Sequence, residues 1–547
     1  MHRLLISAAI GWLVSVALVS IPAAAPSPQG RARAPHAAPV FDTSHNCVAC
    51  HNGLLTSSGE DISLGTAWRA TMMANSARDP YWQASVRREA IDHPSALHAI
   101  EDECSVCHMP MARTLAVANG QAPQIFAHLS AGALGTPDAL LAADGVSCTV
   151  CHQITADGFG TPASFTGGYV VNTAGPVTGR PVFGPFPVDA GRARLMHSAT
   201  TFVPAESAHV RQSELCATCH TLYTKALGPD GTVVGQLPEQ VPYLEWRHSA
   251  FRAERSCQSC HMPVVTEPTR VASVMGQPRD GVARHNFRGG NFFMLRMLNR
   301  YRVELGVEAL PQELDAAVNT TLEHLRSESA SLTIDRAALS GRRLTADVAI
   351  DNLAGHKLPT AYPSRRAWLH VTVRDRSGAV VFESGAVGAD GAIHGNANDE
   401  DPARLEPHYA EISNPEDVQI YESVMRDSAG VPTTGLLKGI GYIKDNRLLP
   451  RGFDKRTAEK DVAVHGAAAD DGDFTAGGDR VRYVVSVSSA EGPFQLQAVL
   501  RYQPIGFRWA ENLKTYDAPE PRRFVGYFQS MSAASSAVLA HGTVTVR

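Results

Sequence analysis

The chain has 547 residues, enough for two or more independently packed units. Its formal net charge is −5, which argues against a general nucleic-acid binder, and its composition shows no long low-complexity tract that would mark it as disordered. Ten cysteines and 22 histidines are the unusual part of the inventory.

In chain order, the first element is an export signal. Arg3 gives a positive start, an apolar run spans 4–21, and the small residues Ala23, Ala24 and Ala25 follow. Cleavage near residue 25 or retention as an N-terminal anchor are both compatible with a run of this length. No later segment is long and apolar enough to span, so membrane contact is expected only through that anchor. Residues 26–40, rich in Pro, Ala and Arg, read as a flexible lead.

Residues 41–300 hold every cysteine, and each falls in a C-x-x-C-H pentad. The pentads are Cys47/Cys50/His51, Cys104/Cys107/His108, Cys148/Cys151/His152, Cys216/Cys219/His220 and Cys257/Cys260/His261. Two thiols three residues apart stand on neighbouring turns of one short helix. They can form thioethers with the two vinyl groups of one haem edge, and the following His ligates the iron. A disulfide framework would leave cysteines outside the pentads, and none remain. A zinc ribbon does not require His after each second Cys. A thioredoxin-like redox motif does not occur five times. The expectation is therefore five covalently bound haem c groups. Haem plates are apolar and can form much of this region's core, which accounts for its weak periodicity. The intervals between pentads are unequal, so this is not a fixed-period solenoid.

Each iron has a second axial position. A second imidazole gives a low-spin haem suited to electron transfer, and an open position gives a candidate catalytic site. The favoured second ligands are His209, seven residues before Cys216, then His248, His285 and, from the second half of the chain, His356. His45, His93, His98, His128 and His197 are further options. Met72 and Met73, after Trp68, read as core filling rather than as ligands.

Residues 301–330 are expected to be connecting helix: Pro311 suits a first turn, and Leu314, Val318, Leu322 and Leu325 recur at threes and fours. From 331 to 547 the period becomes two. Leu344, Ala346, Val348 and Ile350 alternate with polar residues, as do Leu369, Val371 and Val373, then Val481, Tyr483, Val485 and Val487, then Phe494, Leu496, Ala498 and Leu500. This predicts an antiparallel, β-sandwich-like domain, and the whole chain reads as α+β multidomain. In a Gly-rich loop, Asp470, Asp471, Asp473 and Asp479 offer oxygen ligands for Ca²⁺. They lack the twelve-residue calcium-loop pattern and read first as a solvated turn.

The series Cys216-Ala-Thr-Cys219-His220-Thr221-Leu222, Glu245-Trp246 with Ser249, and Cys257-Gln-Ser-Cys260-His261-Met262-Pro263 resembles the multihaem cytochromes c related to the tetrahaem electron acceptor of hydroxylamine oxidation. The segments Gly355-His356-Lys357-Leu358-Pro359-Thr360, Arg365-Arg366-Ala367-Trp368-Leu369-His370 and Lys444-Asp445-Asn446-Arg447-Leu448-Leu449-Pro450 resemble the strand-rich extension of some exported members. The resemblance implies closely stacked haems and electron transfer along them, and it fixes no substrate. The fifth pentad and the long β region depart from the tetrahaem member, so only attachment residues and proximal His carry over.

Three functions compete. The first is an exported, periplasmic or cell-surface carrier relaying electrons between redox protein partners. The second is an oxidoreductase acting on a small nitrogen or sulfur compound at one open haem. Pentahaem nitrite reductases usually place Lys at the catalytic pentad and end in long helices, and this chain does neither. The third is a haem subunit of a larger complex, docked through the β domain. Oligomeric state is not legible.

Overall fold

A computed structural model describes residues 40–129, 135–175 and 178–547. The export signal or anchor read over 1–25 and the lead read over 26–40, apart from Val40, lie outside the described residues. Among those residues no helix is long and apolar enough to cross a membrane.

The fold is α+β. The first half is a set of short helices and two-stranded ribbons. Two of its longer helices, Pro80–Asp92 and Leu97–His108, illustrate how they are built. The first opens with Pro80 and is capped by the Asp79 carboxylate, which accepts from the backbone N–H of Tyr81 and Trp82. The second carries Cys104, Cys107 and His108 in its last turn.

Helix Pro311–Glu328 buries Leu314, Val318, Leu322 and Leu325 along one stripe. The Glu313 side chain accepts from the Leu310 N–H at its start. It leads directly into strand Ala330–Ser340.

Residues 330–546 form two sheets. The smaller runs Glu411–Ile412, Gly478–Ser486, Arg343–Asn352, Ala330–Ser340. The larger runs Pro432–Thr433, Ile420–Arg426, Arg366–Arg374, Phe494–Gln503, Ala537–Val546, with Val380–Ser384 and Gly441–Asp445 attached at its side. Register explains the period of two. Val481, Tyr483 and Val485 stand opposite Val348, Ala346 and Leu344. Leu496, Ala498 and Leu500 stand opposite Val373, Val371 and Leu369. Every one of these side chains is buried, and both rows enter one continuous core.

The strand reading of 331–547 leaves out helix Pro519–Met531, which buries Phe524, Tyr527 and Phe528. This helix packs on Pro80–Asp92 from the first half, and Arg87 forms a paired contact with Glu520 there. The two halves therefore share a wide contact, and Phe292, Phe293 and Leu298 belong to the same core as the sheets.

Candidate haem cavity

Each pentad sits at a helical turn. The N–H of His51, His152 and His220 bonds the carbonyl of the first Cys of its own motif, at 3.0, 3.1 and 2.9 Å. One turn therefore gathers two thiols and an imidazole. No disulfide joins any of the ten cysteines.

These turns converge. All ten cysteines, with His51, His108, His152, His220 and His261, line one continuous cavity of about 1600 Å³. Its other walls are largely apolar, among them Val86, Ile100, Val106, Val150, Leu215 and Leu325. Protein interiors pack at a density near 0.75, so a space of this size is a binding site and not a packing defect.

The thiols also meet one another across motifs. Cys47 lies close enough to Cys148 for the two thiols to perturb one another's ionisation, as do Cys107 and Cys219, and Cys216 and Cys257. Cys151 and Cys219 are close enough to interact electrostatically. The first motif thus neighbours the third, the third neighbours the fourth, and the second and fifth both reach the fourth.

The imidazoles are prepared as ligands. Nδ1 of His51, His108, His152 and His261 meets the backbone carbonyl of Val271, Ser76, Phe183 and Arg288, at 2.5, 3.0, 2.5 and 2.5 Å. A carbonyl can only accept, so Nδ1 carries the proton and Nε2 keeps its lone pair for a metal. Burial pushes His108 and His261 down to about 4, and it lowers His152 and His220 as well, so the rings are neutral at neutral pH. The exposed face of His220 opens onto the cavity, and Arg365 adds to the depression of its pKa.

Two further imidazoles face these. The His285 ring lies 6.3 Å from that of His152 with planes 13° apart, and the His356 ring lies 6.3 Å from that of His261 with planes 10° apart. An iron–nitrogen bond of about 2 Å, with about 1.1 Å from nitrogen to ring centre, would set two imidazoles facing across one iron about 6.2 Å apart. Direct ring stacking would bring them closer, as Trp82 is to His108 at 4.4 Å. His285 and His356 also turn Nδ1 to carbonyls, of Ala283 at 3.1 Å and Lys357 at 2.9 Å. The donor set and spacing fit haem c.

The remaining expected ligands are placed differently. His209 does not line the cavity. Its Nδ1 is 2.6 Å from Ser207 Oγ and its Nε2 is 2.8 Å from the Ile154 carbonyl, so both nitrogens are engaged. His248 also lies off the cavity, with Nε2 3.6 Å from Glu459. His45 pairs with Glu308 on the surface, and His93, His98, His128 and His197 do not reach the cavity wall. Met72 and Met73 do line it. Sequence reasoning missed His324, which lines the cavity 6.0 Å from His261 with its plane at 69°. Its signal was its place on the apolar stripe's flank, between Val318 and Leu325 in helix Pro311–Glu328.

Of the acidic loop, Asp471 and Asp479 come together with His408, their ligand atoms within 4.8 Å of one another. His408 Nδ1 accepts from the side-chain amides of Gln419, at 2.7 Å, and Asn446, at 3.1 Å. The Gln419 oxygen accepts from Tyr409 N–H and the Asn446 oxygen from Glu422 N–H, which fixes both amides. The proton of His408 therefore sits on Nε2 and is donated to Asp471 at 3.0 Å. Asp479 Oδ2 accepts from Gln419 at 3.2 Å and Tyr421 at 2.7 Å while its buried Oδ1 has no hydrogen-bond partner among the described residues, and Asp470 and Asp473 are exposed beside the cluster.

No protein-family model and no curated protein matches this chain. Among solved structures, the fold is similar to that of a penta-heme cytochrome c552 from Thermochromatium tepidum. The identity is 16% and the TM-score 0.50, over 93% of this chain and 100% of that one.

Proposed function

We propose that this chain is an exported pentahaem c-type cytochrome that relays electrons between redox protein partners in the periplasm or at the cell surface. The observation that carries the reading is the convergence of all ten thiols and five motif imidazoles on one cavity, with two more imidazoles spaced for iron. The solved structure of similar fold is itself a penta-heme cytochrome, which supports the same cofactor here. The ten cysteines would hold the haems, His51, His108, His152, His220 and His261 would ligate from one side, and His285 and His356 from the other on the third and fifth. When bound, haem c supplies one-electron redox chemistry.

The chain's own residues account for the rest. Backbone carbonyls orient the His51, His108, His152 and His261 rings, burial keeps His108, His152, His220 and His261 neutral, and the proximity of the thiols sets an order of neighbours: first, third, fourth, with second and fifth meeting at the fourth. Such an order supports a relay, because it leaves no attachment point isolated. Docking of partners through the strand-rich half, as a subunit of a larger complex, is compatible with this reading.

One observation favours the second reading, a substrate-converting oxidoreductase. Among the described residues no imidazole stands at the ligating separation from His51, His108 or His220. The test is a pyridine haemochrome count with EPR of the oxidised protein. Five haems, all low-spin, fit the relay. A high-spin haem whose spectrum shifts with nitrite, hydroxylamine or sulfite moves the conclusion to the enzyme. A count other than five removes both.

A further inference from the structure

We infer that Glu245 is a positioning residue that holds the 355–360 loop so that His356 stands opposite His261, an inference that rests on the haem reading above. Glu245 belongs to helix Pro242–Arg247 in the haem-binding half, and it is completely buried. Its Oε2 accepts from the Lys357 backbone N–H at 3.1 Å and from the Thr360 hydroxyl. These two bonds seize the loop directly after His356. Its Oε1 lies 2.8 Å from Arg447 Nη1, off the line of the N–H bond.

Arg447 in turn donates to Asp445 through Nε at 2.8 Å and Nη2 at 2.7 Å, and Asp445 accepts from Lys357 Nζ at 2.7 Å. The result is a closed quartet of two carboxylates and two cations, every side chain at most 7% exposed. The loop is also fixed from behind. The Asn352 amide donates to the His356 carbonyl at 2.8 Å, and Leu358 and Leu448 exchange backbone bonds at 2.9 Å. A Cβ at Gly355 would come within 3.2 Å of Phe251 and 3.5 Å of Trp246, so a larger residue there would crowd the loop against the haem-binding half.

A charge-balanced buried quartet is a poor route to stability, because desolvation offsets most of its attraction and an apolar cluster would serve as well. What ions and directed bonds supply is one geometry. Here that geometry belongs to the loop that, among the described residues, carries an imidazole from the strand-rich half to the cavity.

The test uses the full-length holoprotein and oxidised-state EPR, with haem content per chain measured alongside. Glu245→Gln is expected to retain wild-type haem content but convert one haem from low- to high-spin, and added imidazole should restore it. His356→Ala should give the same spectrum with the same rescue, and the double variant should be no worse than His356→Ala. Thr360→Val, which removes one bond without unbalancing charge, should give a partial conversion and serves if Glu245→Gln does not fold. Wild-type spectra in Glu245→Gln or, failing that, in Thr360→Val, beside a high-spin haem in His356→Ala, would overturn the positioning role. The same would follow if His324→Ala, and not His356→Ala, released the haem. A wild-type chain without haem would instead sink the underlying reading.

Discussion

Replacing Asp445 by Asn tests the quartet's energetics directly. The substitution keeps shape but leaves Lys357 and Arg447 facing Glu245 alone, an excess of one buried positive charge. Lys357 Nζ has no exposed surface, and its other acceptor is the Ala463 carbonyl at 3.2 Å. Unit charges in contact interact by about 6 kcal/mol at an effective dielectric of about 20. Part of this is offset by desolvation already present, and removing one member of a buried pair costs about 3–5 kcal/mol. For a unit of this size that is a fall of about 6–20 °C in unfolding midpoint. The pH dependence is a second check. Burial works to raise the Asp445 carboxyl, but Arg447 and Lys357 overcome it and hold the group below the usual carboxylate range. Its contribution is therefore fully present above the unfolded value near 3.8 and is lost as pH falls through the lower folded value. The deficit of Asp445→Asn should be constant from about pH 5 upward and shrink in acid. Adding Lys357→Met rebalances the charge and should recover more than half of the loss. Denaturant unfolding followed by far-ultraviolet circular dichroism measures all three. A loss under about 1 kcal/mol, or an additive double variant, would refute the reasoning.

Four further outcomes are expected. Cys148→Ser with Cys151→Ser should lower the pyridine haemochrome count from five to four. His285→Ala should convert one haem to high-spin in the EPR spectrum, whereas His209→Ala, whose ring is bonded outside the cavity, should leave every spin state unchanged. Burial pushes the Asp479 carboxyl up to about 7 from 3.8, so its folded state favours the proton. Wild-type stability should then fall relative to Asp479→Asn as pH rises from about 4 to about 7, and a pH-independent gap between their unfolding midpoints would disprove it. Gly385 has φ +77°, and a Cβ there would lie 2.3 Å from the Leu369 carbonyl, so Gly385→Ala should cost about 3 kcal/mol in denaturant unfolding.

What the sequence made legible was what is local. Two thiols and an imidazole within five residues point to one chemistry by spacing alone, and a period of two exposes a strand such as Leu344 to Ile350 without reference to its partners. The facing imidazoles are different in kind. His285 and His356 face motifs far away along the chain, and nothing near either of them names His152 or His261. Proximity in sequence misdirected instead: His209 stands just before Cys216, yet Ser207 and Ile154 take both of its nitrogens. Helix Pro519–Met531 did have a local signal, since Pro519 opens it and Phe524, Tyr527 and Phe528 repeat at threes and fours. It was submerged in a long stretch dominated by alternation. The ion quartet could not have been read at all, because Lys357 meets Asp445 and Arg447 only once the strand-rich half has folded, and Glu245 joins them only when the halves meet.

The division of labour between the halves also bears on how such a molecule matures. The last attachment motif ends at His261, but the imidazole that faces it arrives from His356, on a loop clamped by Glu245. On the pentahaem reading proposed above, a nascent chain would be charged with its full complement of cofactor before the loop that brings His356 opposite His261 has been delivered. Cofactor content and completeness would then be separate quantities, and an intermediate with every haem attached would still be spectroscopically immature until the strand-rich half closes.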